Sequence, residues 1–318
     1  MSTYKEIHGT DIEVLSSDPA NPVEGQVWYN STSNVVKGNF INLGSWATGG
    51  SLNTARNKLA GAGTQTAGLG FGGLTPPYSG ATESYNGTSW TEVNDLNTAR
   101  QNLVGAGTQT AALAFGGDFP ITGATEEWDG TSWTEVNDLN SARIYLASAG
   151  TQTSALAFGG EPPPDATGET ESWNGTSWTE VNDLNTARWE LAGAGADNTS
   201  ALAFGGFAPS VPGFNGATES WNGTSWTAVS AMSTARGYLG GCGTNTAALG
   251  FGGRFPVTGA TESWNGTSWT ELNDLNTARD NLAGAGTNTS ALGFGGNPTT
   301  AATEEFNSGP QTITFSDS

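Results

Sequence analysis

Cysteine, histidine and basic residues are scarce in this chain, and long apolar runs are missing. Its 318 residues include one cysteine and one histidine. The single thiol, Cys242, cannot build an internal disulfide framework. It stands in Gly241-Cys242-Gly243, where other copies of the same segment have Gly-Ala-Gly, and reads as a small buried apolar side chain. With His8 as the only imidazole, no cluster of nitrogen and sulfur ligands is available to a transition metal, and no metal site is expected.

Ten Lys and Arg against thirty Asp and Glu give a formal charge of -20, which opposes nucleic-acid phosphates and anionic lipid surfaces. Apolar stretches fall far below the roughly 20 residues of a membrane span, and the first residues lack the apolar core of a signal peptide. Neither nucleic-acid binding nor membrane insertion is expected. The Gly-rich runs do not lead into helices, so there is no phosphate or dinucleotide fingerprint and no implied cofactor.

The chain does contain a beat. Asn-Thr-Ala-Arg and two one-residue variants occur six times, ending at Arg56, Arg100, Arg143, Arg188, Arg236 and Arg279, with steps of 44, 43, 45, 48 and 43 residues. Phe-Gly-Gly keeps the same beat, beginning at Phe71, Phe115, Phe158, Phe204, Phe251 and Phe294. Self-similarity at this period means a repeat architecture, with units starting near 53, 97, 140, 185, 233 and 276. The 47 glycines, which unordered would suggest disorder, recur at fixed offsets beside twelve tryptophans.

One unit reads as four strands. Small and apolar residues on either side of Thr-Gln-Thr form one hairpin, and aromatic-bearing runs across Asn-Gly or Asp129-Gly130 form a second. A first strand made of Gly, Ala and Leu, as in Leu59-Ala-Gly-Ala-Gly63, fits only where backbones approach closely, which is the axis of a ring. Outer-strand aromatics such as Trp173 and Trp178 would fill the widening gaps. Asn-Gly-Thr at Asn86, Asn174, Asn222 and Asn265 matches a glycosylation sequon, but Asp129 at the same place points to a turn requirement instead.

These features resemble the kelch repeat: an arginine opening the first strand, a Gly-Gly doublet ending the second, an aromatic in the third and a tryptophan in the fourth. The resemblance covers about five-sixths of the chain and implies an all-β, six-bladed kelch-like β-propeller. The last unit lacks a Gly-Thr-Ser-Trp strand. Residues 41–52, with Leu43-Gly-Ser-Trp46, are expected to close it, giving a propeller over 41–318 with the tail from Gln311 as an edge strand or arm.

Residues 1–40 lie outside the repeat. Val23 to Asn30, a Ser-Thr-Ser-Asn turn and Val35-Val-Lys37 predict a hairpin, and Gly-Gln-Val-Trp-Tyr-Asn resembles short modules of bacteriophage tail and virion proteins. That resemblance implies attachment to other virion or tail proteins and a place on the particle. A hairpin alone is marginal in water, so it must rest on the propeller or another chain, and a homo-oligomer is possible.

Kelch-like rings include a copper radical oxidase and, among six-bladed rings, sialidases. The first needs histidine and a cysteine-modified tyrosine that this chain does not supply. The second needs an asymmetric arginine cluster, whereas here six of seven arginines hold one equivalent position per unit, where pairing with glutamates such as Glu83, Glu126, Glu219 or Glu262 explains them. The carboxylates of Glu126-Glu127 point to opposite faces of a strand and cannot act on one bond. No catalytic residue is assigned.

Function is therefore expected where the copies differ. The residues after Phe-Gly-Gly vary, as do the pairs after each arginine, and both should meet at one mouth of the ring. The candidate ligand residues are Tyr145, Trp189, Glu190, Tyr238, Gln101, Asn102 and Asp280, ringed by Tyr78, Phe119, Phe207, Phe214 and Phe255. Aromatics beside polar groups suit a host-surface glycan or protein. Drift of surface loops, a purely structural virion subunit and a kelch-type adaptor are the alternatives.

Overall fold

The computed structural model describes residues 12–23, 25–162 and 165–315. The chain divides into two compact units, Ser45–Asn307 and the pairing of Met1–Gly44 with Ser308–Ser318. The tail groups with the N-terminal segment. Glycines at positive φ, Gly44 at 84° and Gly309 at 120°, sit beside the two crossing points, where a residue with a Cβ would be strained.

In the larger unit each repeat folds as an antiparallel sheet. The first comprises Ala60–Thr64, Ala67–Phe71, Thr82–Tyr85 and Trp90–Val93 in that order. Four more four-stranded sheets follow, starting at Val104, Ala147, Ala192 and Gly240. The sixth uses Ala283–Gly286, Ser290–Phe294 and the start of Thr303–Phe315, with the end of Val35–Thr48 beside it as outer strand. Each innermost strand packs on the next, and Ala283–Gly286 packs back on Ala60–Thr64, closing a β-propeller.

Repeated residues make the joints between blades. The outer-strand indole of each blade donates its Nε1–H to a threonine hydroxyl on the preceding one: Trp90 to Thr303, Trp133 to Thr82, Trp178 to Thr125, Trp226 to Thr170, Trp269 to Thr218 and Trp46 to Thr261, at 3.0 to 3.1 Å. The same indoles tilt onto the preceding blade's Phe-Gly-Gly ring, as Trp133 does on Phe71 at 4.9 Å. The second glycine of each doublet donates to the next arginine's carbonyl, Gly73 to Arg100 at 2.9 Å for example, and lies at φ 106°, which the tight turn requires. At Gly61 a Cβ would lie 2.8 Å from the Phe294 ring and 2.9 Å from the Gly284 carbonyl oxygen.

Asn-Thr-Ala-Arg is the wrapping of a buried carboxylate. Glu83 Oε2 accepts from the Asn53 backbone and side-chain amides at 2.6 and 2.9 Å, while Oε1 accepts from Arg56 at 2.9 Å. All six arginines have such a glutamate at 2.5 to 3.1 Å. Charges buried this deeply persist only when paired and hydrogen-bonded.

Two local readings are corrected. Pairing of Tyr85 with Trp90 leaves a four-residue loop, in which only glycine is at positive φ and Asn86 Oδ1 accepts from the Thr88 and Ser89 amides. An Asx turn, not a two-residue primed turn, therefore selects Asn or Asp. The Thr-Gln-Thr glutamine is also more than a polar turn: buried Gln65 donates to the Phe306 carbonyl at 2.6 Å, on the neighbouring blade.

In the smaller unit Val27–Asn30 pairs antiparallel with the start of Val35–Thr48 across a turn at 31–34, and Glu13–Leu15 adds a parallel strand. Asp18 organises it, accepting from Trp28 Nε1 at 3.1 Å, Asn30 Nδ2 at 2.8 Å and Lys37 Nζ at 2.6 Å. The Lys37 ammonium, the Asn30 amide and the Trp28 indole N–H hold its carboxyl low, at about 2. Among the described residues no helix is long and apolar enough to cross a membrane.

Candidate functional site

The two residues after each motif arginine have different fates. The first forms a bridge with the residue after Phe-Gly-Gly: Asn57 with Leu74, Gln101 with Asp118, Ile144 with Glu161, Trp189 with Phe207, Gly237 with Arg254, Asp280 with Asn297. Both variable regions thereby come to one end of the ring. The second, Lys58, Asn102, Tyr145, Glu190, Tyr238 or Asn281, adopts φ of 54 to 58°, an uncommon conformation for a residue with a Cβ. Five of the six amides donate to the equivalent carbonyl on the neighbouring blade, as Glu190 does to Tyr145 at 2.9 Å. This main-chain belt sets their side chains around the axial mouth.

Those six residues and the leucines below them bound a cavity of about 130 Å³. That is under half of the smallest volume usual for a drug-sized ligand, roughly 300 Å³. A saccharide or peptide must therefore be read by the rim, with the cavity taking at most one substituent. Gln101 and Asp280 do not face it. Both are buried in the bridging loops, where Gln101 donates to Asp118 at 3.3 Å and Asp280 accepts from Asn281 and Asn297. Bridge pairing turns the first residue of each pair outward and the left-handed second residue inward, so Lys58 and Asn281 line the mouth in their place.

The aromatic candidates come together in two groups. Trp189 stacks on Phe207 with centroids 5.1 Å apart, Phe207 meets Phe214 edge-on at 5.4 Å, and Phe214 stacks on Phe255 at 4.1 Å. Tyr238 joins Phe214 at 6.4 Å and Tyr145 at 5.9 Å, carrying the cluster across blades three to five. The long loop of blade four supplies Phe207 and Phe214 from a small ribbon, Phe207–Ala208 paired with Val211–Phe214. A second stack, Tyr78 on Phe119 at 4.0 Å, lies on blades one and two. Phe119 and Phe255 are 49% and 54% exposed and occupy φ of 85° and 83°. Such backbone strain is kept only where the surroundings enforce it.

Arg254 was not among the sequence candidates. It is the one arginine outside the repeated position, which was the available signal. Its guanidinium lies 4.1 Å from the Tyr238 ring centroid and 4.7 Å from that of Phe255, and its Nε is buried without a hydrogen-bond partner. Among the described residues it forms no ion pair. Glu190 is 7% exposed, with Oε2 unpartnered; burial pushes its carboxyl up to about 8, opposed by the Arg254 charge. Burial likewise raises Asp118, Glu161 and the Tyr145 phenol. Among the described residues no group of three or more His, Cys, Asp and Glu could hold a metal ion.

No protein-family model and no curated protein matches this sequence. A solved structure, "Structure of YjhT", superposes with a TM-score of 0.64 at 13% identity, covering 82% of this chain and 99% of that one. The chain is a multi-bladed β-propeller. At this identity the likeness shows the fold alone, and the mouth must be interpreted from its own residues.

Proposed function

We propose that this propeller is a non-enzymatic recognition module, kelch-like in its repeats, which binds a host-surface glycan or protein through the mouth described above. The observation that carries this reading is the continuous aromatic surface from Trp189 to Phe255. It is built from positions that differ among the six copies, while the repeated positions are consumed by the joints. Exposed aromatic faces beside unsatisfied polar groups suit recognition. The six repeated arginines are each committed to a glutamate, leaving no arginine cluster for catalysis.

The N-terminal module then joins the propeller to other virion or tail proteins of a phage-type particle. Particle fractionation and host-cell adhesion test both halves together. The chain should sediment with particles, and the isolated chain should bind host cells, with Trp189→Ala reducing that binding at unchanged melting temperature. A chain that sediments with particles yet binds no host surface is a structural subunit; one absent from particles loses the virion assignment.

A further inference from the structure

The mouth is polarised around the ring. Lys58, Asn281 and Arg254 stand on blades one, six and five, while Asp118, Glu161 and Glu190 stand on blades two, three and four. The stacked pairs Tyr78–Phe119 and Phe214–Phe255 mark the two borders between these arcs, on blades one and two and on blades four and five. In a chain of charge -20, Lys58 and Arg254 form a local reversal of sign: both act on Glu190 through space, yet neither forms an ion pair within 4.0 Å among the described residues. Buried Asp280 is the acidic exception on the basic arc, held by Asn281 and Asn297.

We propose that the mouth takes a saccharide bearing a carboxylate, with that carboxylate against Arg254 and the sugar hydroxyls donated to the acidic arc. Resting on the recognition function proposed above, this names its ligand class. Arg254, unlike the six repeated arginines, is not committed to a glutamate among the described residues, and a carboxylate fits a planar guanidinium in two-point fashion. The Tyr238 and Phe255 rings lie against that guanidinium, at 4.1 and 4.7 Å, and hold it in place. Glu190 Oε2, more than nine-tenths buried and unsatisfied at the cavity wall, requires a partner that a hydroxyl supplies. Exposed Phe119, stacked on Tyr78, presents a ring face for a sugar at the rim. A peptide would present fewer hydroxyl donors to three carboxyl groups, so the acidic arc favours a sugar.

The test is an array of carboxylate-bearing oligosaccharides, including oligogalacturonides, each printed beside its carboxyl-reduced counterpart and probed with the full chain. Binding should favour acidic members by at least about tenfold, with Arg254→Ala abolishing the preference and Arg254→Lys retaining part of it. Melting curves confirm that the variants fold. Equal binding of acidic and reduced members overturns the proposal, as does a preference that survives Arg254→Ala. If no acidic saccharide binds while host-cell adhesion still depends on Trp189, the ligand class is wrong and the recognition function stands. If adhesion is absent too, both fail.

Discussion

The indole of Trp46 donates its Nε1–H to the Thr261 hydroxyl at 3.0 Å, across 215 positions of the chain. Five other tryptophans make the equivalent bond to a preceding blade, so this one completes the set. Trp46 also packs on Phe251 at 4.9 Å and Phe306 at 5.1 Å. Trp46→Ala should cost about 3–5 kcal/mol in denaturant unfolding, comparable with Trp133→Ala inside the ring. A cost near zero would mean that the ring does not depend on this strand.

The glutamate wrapped by Asn-Thr-Ala-Arg should behave as a buried ion pair. Removing one partner strands the other: Glu83→Gln leaves the Arg56 cation buried, and Arg56→Met leaves the anion, each at about 3–5 kcal/mol. The double variant should recover much of that loss, measured as a coupling energy in a double-mutant cycle. Additive losses would mean that the pair contributes through packing alone.

Glu190 gives the fold a pH signature. Its folded carboxyl is held up to about 8 against the usual 4.5 by burial, with Arg254 and Lys58 opposing the shift and Glu161 and Asp280 reinforcing it. The folded state therefore binds more protons than the unfolded chain between those values. This contribution is complete below about 4.5 and is lost as pH rises through about 8. Urea titrations should show stability falling more steeply across that window in the wild type than in Glu190→Gln, and parallel curves would remove the assignment.

Cys242 is buried and its thiol is pushed up to about 12 by that burial. A thiol reagent at neutral pH should leave the native chain unlabelled and modify one site in denaturant. Cys242→Ala, which restores the residue found in other copies, should change stability by less than about 1.5 kcal/mol. Rapid native labelling would contradict the packing described.

Much of the ring was legible because each copy repeats the same joint. Trp46 announced itself by standing in Gly-Ser-Trp before the first Arg56 unit, where the last unit lacked its tryptophan. The mouth was legible only to the level of loops. Nothing in the pairs Gln101-Asn102 or Asp280-Asn281 reveals that the second residue takes a left-handed backbone and turns to the axis, since that conformation is imposed by the belt between blades. Arg254 acquires its role from Tyr238 and Phe255, which meet it in space from either side of a doublet turn. The grouping of Ser308–Ser318 with the N-terminal segment is likewise a long-range pairing with no local signature.

The division of labour between repeated and variable residues has one direct test. Host-cell binding is measured for wild type, for a mouth variant combining Tyr238→Ala and Phe255→Ala, and for a variant carrying Thr66→Arg, Thr153→Arg and Thr246→Arg. Those three threonines are exposed on the hairpin turns at the opposite end of the ring. With melting temperatures matched, the mouth variant should lose binding by more than about tenfold and the turn variant should bind as the wild type does. Binding that survives the mouth variant and disappears in the turn variant would contradict the account.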